Sequence, residues 1–178
     1  MRSISPSIVH WLCSNCGNPA QASVVPVGGS GGKSVTLQSC RAVLVVRVID
    51  AASTHDLRNR VLRGGRGHDG FPEDAWPETL HLGAVDDDVI VGVATFVPRD
   101  DGWWQLRGMA VEPSRQGEGV GRAILADGDR HLRSVGASGV WANARDTALG
   151  FYERAGWVVV GDGYVLVDLP HHRVEHEL

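Results

Sequence analysis

The chain has 178 residues, 43% of them hydrophobic and 21% charged, and a formal net charge of −4. That balance fits one soluble domain able to bury its own core without disulfide or metal staples. It gives no general electrostatic attraction to nucleic acid or to an anionic membrane.

No apolar run approaches the ~20 residues of a membrane span. Three cysteines without a secretory leader pattern point away from a disulfide framework and towards the reducing cytoplasm. Residues 1–40 are rich in Ser, Gly, Pro and Asn, and Gly28-Gly29-Ser30-Gly31-Gly32 reads as a flexible linker. A poorly ordered extension is expected there, ahead of a domain over residues 41–178. The 17 basic residues include a single lysine, Lys33, a bias of composition rather than of mechanism.

Residues 42–49 are β-branched and apolar and predict a strand. Residues 54–62 predict a helix through Leu57, Val61 and Leu62, with Ser53 or Thr54 as N-cap and Gly64-Gly65 as its stop. Residues 64–77 read as a loop. Strands are predicted over 79–85 and 89–97, joined at Asp86-Asp87-Asp88, where a solvated turn outweighs a metal site. Residues 103–111 predict a strand and 118–135 a long helix. On that helix Gly121, Leu125, Gly128 and Leu132 share one face, so it can lie close on a sheet. A short strand over 139–142 precedes a helix over 147–155, capped by Asp146 and stopped by Gly156. Residues 157–160 and 171–178 predict strands, and 161–170 suit either strand or ordered loop. The order β-α-β-β-β-α-β-α-β-β predicts a mixed α/β sheet with flanking helices.

Residues 106–125, LRGMAVEPSRQGEGVGRAIL, carry the most chemistry. A strand ends at Val111, Pro113 breaks it, and Gly117, Gly119 and Gly121 lead into the helix. Glycines there let backbone N–H groups converge, and the helix N-terminus adds partial positive charge, which together cradle a phosphate. Two other phosphate loops fail on spacing. A dinucleotide fingerprint needs G-x-G-x-x-G straight after the strand, whereas these glycines run G-x-G-x-G after an intervening 112–116. Gly32-Lys33-Ser34 matches the end of a P-loop, but Val27 stands at its first glycine and no strand–helix frame surrounds it.

Gln116-Gly117-Glu118-Gly119-Val120-Gly121 instead resembles the Q/R-x-x-G-x-G/A pyrophosphate loop of the GNAT family of N-acetyltransferases. Ala148-Leu149-Gly150-Phe151-Tyr152-Glu153-Arg154-Ala155-Gly156-Trp157 resembles the same family's A-x-x-L/F-Y-x-x-x-G-F/W helix. The resemblance spans residues 43–178, and Leu57-Arg58 with Pro170-His171-His172 leans towards the small bacterial ElaA-like branch. It implies the α/β acyl-CoA N-acyltransferase fold, a mixed and mostly antiparallel sheet splayed between its fourth and fifth strands.

The resemblance also implies acetyl-CoA as cosubstrate in that splay, with no metal. Met109, Ala110 and Val111 would meet the pantetheine arm, while amides of Gln116, Gly117, Glu118, Gly119, Val120, Gly121 and Arg122 would hold the pyrophosphate. A neutral amine would attack the thioester directly, with the Met109 N–H polarising the oxyanion and Tyr152 protonating the departing thiolate. On pattern alone Tyr152 belongs equally to an apolar stripe of Ala148, Phe151 and Ala155. Arg145 stands where many members carry an asparagine that supports the CoA arm, and Asn143 is the nearest asparagine to take that role.

No general base is assigned among Glu78, His81, Asp100 and Glu112, and His81 between Leu80 and Leu82 reads as structural. Arg58, Arg63 and Arg107 would favour an acceptor bearing a carboxylate, or simply pair with acids at the surface. Cys13-Ser14-Asn15-Cys16 resembles half of a zinc ribbon without its second half, and His10 and Cys40 are the other candidate ligands nearby. His171, His172, Glu175 and His176 alternate as a strand does. The chain thus reads as an N-acetyltransferase acting on an amine of a small molecule or protein, as monomer or homodimer. An acyl-CoA-binding module without turnover is the alternative, and a nucleic-acid-associated protein built on Cys13 and Cys16 a further one.

Overall fold

Seven strands and three helices carry the predicted periodicities, in a computed structural model that describes residues 44–67 and 70–178. The segment 1–40, with its glycine linker and all three cysteines, lies outside the described residues. In chain order the elements are β1 (Val45–Val48), α1 (Ala52–Arg63), β2 (Leu80–Asp86), β3 (Val89–Pro98) and β4 (Trp103–Val111). They continue with α2 (Val120–Ser134), β5 (Gly139–Arg145), α3 (Leu149–Arg154), β6 (Val158–Leu166) and β7 (Leu169–Glu177). One sheet holds them in the order β1-β2-β3-β4-β5-β7-β6, antiparallel throughout except between β4 and β5. Among the described residues no helix is long and apolar enough to cross a membrane.

Local chemistry differs from expectation in three places. The cap of α1 is Asp50, whose Oδ1 accepts the Ser53 N–H at 2.8 Å, rather than Ser53 or Thr54. That bond, with further Ser53 bonding, holds the Asp50 carboxyl below the usual carboxylate range. Asp146 does not cap α3, because its carboxylate is taken by His172 Nδ1 at 2.9 Å and a short 3-10 turn, Asp146–Ala148, leads into the helix. Residues 161–170 are hairpin: β6 runs to Leu166, and Val167 and Asp168 turn the chain with φ of 50° and 59°. A turn with two positive φ values favours Asn-Gly, and a β-branched valine there hides it from the sequence.

The helices sort to opposite faces. Leu57 of α1 packs on Val93 and Ala110, while Ile124, Leu125 and Leu132 of α2 join Ala94, Phe96, Leu106, Val140 and Tyr152 on the other face. Close approach of α2 rests on glycine. A Cβ on Gly128 would sit 2.3 Å from the Phe96 ring, and one on Gly92 would sit 2.8 Å from Val120 and Ile124.

A buried polar row ties α1 to the sheet. His81, Thr95 and Arg107 are in register across β2, β3 and β4. Arg58, only 4% exposed, donates to Asp74 Oδ2 at 2.8 Å and to the Thr95 hydroxyl. The Asp74 carbonyl, 3.2 Å from His81 Nε2, can only accept, so Nε2 carries the proton and Nδ1 accepts from Thr95 Oγ1 at 2.8 Å. Burial pushes the His81 pKa down, outweighing the raising effect of the Asp74 carbonyl and carboxylate. Burial would raise Asp74, but the Phe71 N–H and Arg58 more than offset it, so Asp74 stays ionised below the usual range.

Two measurements check this packing. Gly128→Ala should destabilise the fold by roughly 1–3 kcal/mol, the range for overpacking a filled core, read as a lower denaturant midpoint. For His81 the folded pKa is depressed, so the unfolded chain binds the proton first as pH falls through about 6.5. Melting temperature should therefore drop between about pH 7.5 and about pH 5.5, and His81→Gln should flatten that slope.

Candidate active site

β4 changes character halfway along. Thr95 pairs with Arg107 and Val93 with Ala110, so Gly108 and Met109 together oppose the single residue Ala94. Gly108 takes φ of 57°, the left-handed geometry of such a bulge, and Arg58 Nε lies 2.5 Å from where its Cβ would be. The extra residue reverses the side-chain alternation and places Met109 on the α2 face with Leu106. Parallel pairing with β5 runs only from Trp103↔Gly139 to Leu106↔Ala142. Beyond it β4 follows β3 and β5 follows β7, so the edges diverge as expected of the splay.

The loop after β4 closes the wide end of that divergence. Gln116 Nε2 donates to the Val111 carbonyl at 3.1 Å, and Arg115 bridges Asp86 and Glu118, the latter at 2.8 Å. Gly117 and Gly119 have φ of 80° and 88°, with no atom within 4 Å of either missing Cβ. Here glycine serves backbone geometry and leaves open space. The first bond in α2 is Ala123 N–H to Gly119 O at 3.0 Å, and no side chain caps the helix. Amides of Val120, Gly121 and Arg122 are therefore orphan donors.

These elements enclose a cleft of about 540 Å³. It brings together Met109, Ala110, Val111, Gln116, Gly117, Gly119, Val120, Gly121, Arg122 and Tyr152 among the sequence-predicted residues. Glu118 is outside the lining and holds Arg115 instead. Asn143 is also outside it: exposed, and accepting the Tyr164 hydroxyl at 2.6 Å. Arg145 lines the cleft in its place and donates to the Leu62 carbonyl at 2.9 Å, joining β5 to the end of α1.

The Tyr152 hydroxyl reaches Met109 Sδ at 3.9 Å, a weak acceptor, and the ring packs edge-on to Phe151 at 5.1 Å. Tyr152 is 7% exposed, and burial pushes its phenol pKa well above the ordinary value, so it stays protonated. None of Glu78, His81, Asp100 and Glu112 lines the cleft. His81 has both ring nitrogens engaged, and Glu112 is bound by Arg60 at 3.0 Å. Arg58, Arg63 and Arg107 do converge, with guanidinium carbons 5.2, 5.4 and 4.1 Å from the Phe71 ring centre. Asp74 pairs with Arg58 at 2.8 Å and Glu73 with Arg107 at 2.7 Å, whereas Arg63 has no acidic partner among the described residues. Among the described residues no group of three or more His, Cys, Asp or Glu side chains is placed to hold a metal. His172 and His176 are instead paired with Asp146 and Asp129.

Sequence alone does not single out the other lining residues: Val61 and Leu62 of α1, Arg115, Arg145 and Thr147, and Ala148, Phe151, Arg154 and Ala155 at α3. Arg154 had one signal, a cation in the last turn of α3, which reads equally as helix-dipole compensation.

Comparison with known proteins agrees with this geometry. Residues 51–157 match the Acetyltransferase (GNAT) family. The chain is 26% identical over 143 residues to the Bacillus subtilis (strain 168) protein described as "Uncharacterized N-acetyltransferase YitI", covering 76% of this chain and 96% of that protein. Among solved structures, Escherichia coli ElaA superposes with a TM-score of 0.66 at 18% identity, over 75% of this chain and 98% of its own. An aminoglycoside 6'-N-acetyltransferase complexed with coenzyme A gives 0.63 at 17% identity, over 75% and 96%. With the splayed parallel pair, the bulged strand and the glycine loop on an uncapped helix, the family match over residues 51–157 establishes that this chain belongs to the GNAT family of acetyltransferases.

Proposed function

We propose that this chain transfers an acetyl group from acetyl-CoA to a primary amine by direct attack on the thioester. The observation that carries the reading is the divergence of β4 from β5 beyond Leu106↔Ala142, with the uncapped α2 N-terminus at its mouth. The open edge of β4 over Met109–Val111 suits an extended amide-bearing arm, and the Gly117–Arg122 amides suit a pyrophosphate. A coenzyme A complex of an aminoglycoside 6'-N-acetyltransferase with the same fold supports that ligand class.

The neutral amine adds to the thioester carbonyl, and the Met109 N–H stabilises the oxyanion. Collapse breaks the C–S bond; Tyr152 gives its proton to the thiolate, and the proton the nitrogen releases to water is matched by one that water returns to the phenolate. Burial raises the Tyr152 pKa, which weakens it as an acid, but the same burial destabilises a thiolate expelled beside it. Both effects have the same physical cause, burial. Cytoplasmic location and the extension over 1–40 belong to the same reading.

Two variants and one assay test it, the assay following thiol release from acetyl-CoA across a panel of amines. Gly119→Asp puts a negative charge into open space at the cost of some backbone strain at φ 88°, so a variant shown folded by its melting curve should lose acetyl-CoA affinity by at least about tenfold. Unchanged affinity in the folded variant would sink the cosubstrate assignment. Tyr152→Phe keeps the ring and loses only a weak contact to sulfur, so stability should hold while kcat falls roughly 10²-fold. Normal turnover in that variant would remove Tyr152 from the chemistry. Tight binding with no thiol release for any amine would favour a binding module.

A further inference from the structure

Three arginines beside α1 gather around one ring, and the protein answers them unequally. The guanidinium carbons of Arg58, Arg63 and Arg107 lie 5.2, 5.4 and 4.1 Å from the centre of Phe71. Asp74 holds Arg58 at 2.8 Å, and Arg107 commits Nη1 to Glu73 at 2.7 Å. Glu73 is shared with a fourth guanidinium, that of Arg99, at 2.9 Å. Two carboxylates thus serve the paired cations, and Arg63 has no acidic partner among the described residues. Burial lowers the Arg58 pKa and Asp74 offsets part of that, but the Arg107 and Arg63 cations lower it further. The charges therefore stand close enough to repel one another. A ring face offsets such repulsion only in part, and a conflict of this kind in an otherwise consistent fold marks a functional demand.

The position of the cluster gives the surplus charge a use. Leu62 lines the cleft, and its carbonyl is tied to Arg145 of β5 across the splay, so Arg63 follows at the cleft's edge on the α1 side. Arg107 immediately precedes the Gly108–Met109 bulge. Arg58 Nε, buried and without a hydrogen-bond partner, lies against Gly108. His55 Nε2 also makes no hydrogen bond, and both residues line a small recess with Asn59, Arg63, Gly70 and Phe71. None of Arg58, Arg63 and Arg107 lines the cleft that suits the coenzyme. The cluster adjoins the reacting segment of β4 from outside that cleft, which is where the second reactant must approach.

We propose that the acceptor amine also carries a carboxylate, and that Arg63, backed by Arg107 across the Phe71 ring, binds it while the amine is presented at the Met109 amide. This rests on the acetyl-CoA reading and deepens it by naming the substrate class: amino acids and other small amines with a free carboxylate. A guanidinium meets a carboxylate through two parallel N–H···O bonds, so it fixes orientation as well as charge. A neutral amide of the same shape leaves Arg63 unanswered, and a site built for a polar partner rejects the analogue that lacks it. A polyamine would meet repulsion from the same cluster.

The test follows thiol release from acetyl-CoA with matched acceptors: glycine, β-alanine and phenylalanine against their amides, with spermidine as the polycation. Rates are compared at equal concentrations of neutral amine. Melting curves and acetyl-CoA titrations accompany the variants Arg63→Gln and Arg63→Lys. The unsubstituted chain should favour at least one carboxylate over its amide by at least about tenfold in kcat/KM. Arg63→Gln should bring that pair within about twofold through loss on the carboxylate member, with acetyl-CoA affinity held, and Arg63→Lys should keep part of the preference. Equal losses on both members would show that Arg63 acts only through the fold and would overturn the carboxylate site. So would an unsubstituted chain that treats each pair alike, or that prefers the amides or spermidine. A folded chain that binds acetyl-CoA yet releases no thiol with any acceptor loses the transfer reading and the carboxylate site together, an outcome distinct from transfer without discrimination.

Discussion

One added residue in β4 organises this molecule. Because Gly108 and Met109 share a single partner on β3, the strand reverses its alternation at the point where it leaves β5. Without the reversal, Met109 would face α1, and Tyr152 would lose its neighbour at the base of the cleft. Gly108 has room for its left-handed turn because it has no side chain, and Arg58 occupies the space a Cβ would need. The Arg58 guanidinium is in turn fixed by Asp74 and Thr95, so a buried ion pair under α1 bears on the geometry of the cleft. Removing one member of a buried pair is far more disruptive than removing a surface pair, because the remaining charge stays desolvated.

Charge is distributed unevenly between the two sides of the sheet. On the α1 side Arg58, Arg99 and Arg107 are answered by Asp74 and Glu73. Burial works against the Glu73 anion, but its bonds to Arg99 and Arg107 hold it below the usual carboxylate range. In the cleft the lining cations face no lining acid. Neutralised networks rigidify a scaffold, whereas uncompensated cations around a concave surface raise its potential towards anions. The paired network beside α1 therefore holds shape, while the cleft keeps cations without a lining acid.

Much of this was legible in the sequence, for physical reasons that also explain the failures. Strand alternation and helical spacing follow from burial, so the elements from β1 to β5 appear near their expected places. Gly117, Gly119 and Gly121 were readable because left-handed backbone and close approach restrict those positions to glycine or nearly so. The Asp50 cap was missed because three polar residues, Asp50, Ser53 and Thr54, compete at one helix end and only geometry decides among them. The β6–β7 hairpin is not legible in the sequence because Val167 and Asp168 adopt a turn that their residue types do not advertise. Asn143 was placed in the cleft by analogy to a neighbouring position. Its side chain instead meets Tyr164, a partner on a strand the sequence had not delimited.

The short parallel contact between β4 and β5 also sets an order of assembly. β2, β3 and β4 close through tight connections, as do β6 and β7, with partners close in sequence. The β4–β5 pairing must instead wait for α2 to be traversed, and it is anchored only over Trp103–Leu106. Pairings of long sequence separation form slowly, since loop closure precedes any gain in contacts. During synthesis the amino-terminal meander is thus complete while one edge of β4 is still bare. Bare strand edges invite pairing with other chains, and in most sheets the next strand removes the hazard. Here β5 covers only the first half of that edge: the cleft is a stretch of unfinished sheet that the fold keeps open by design of its backbone.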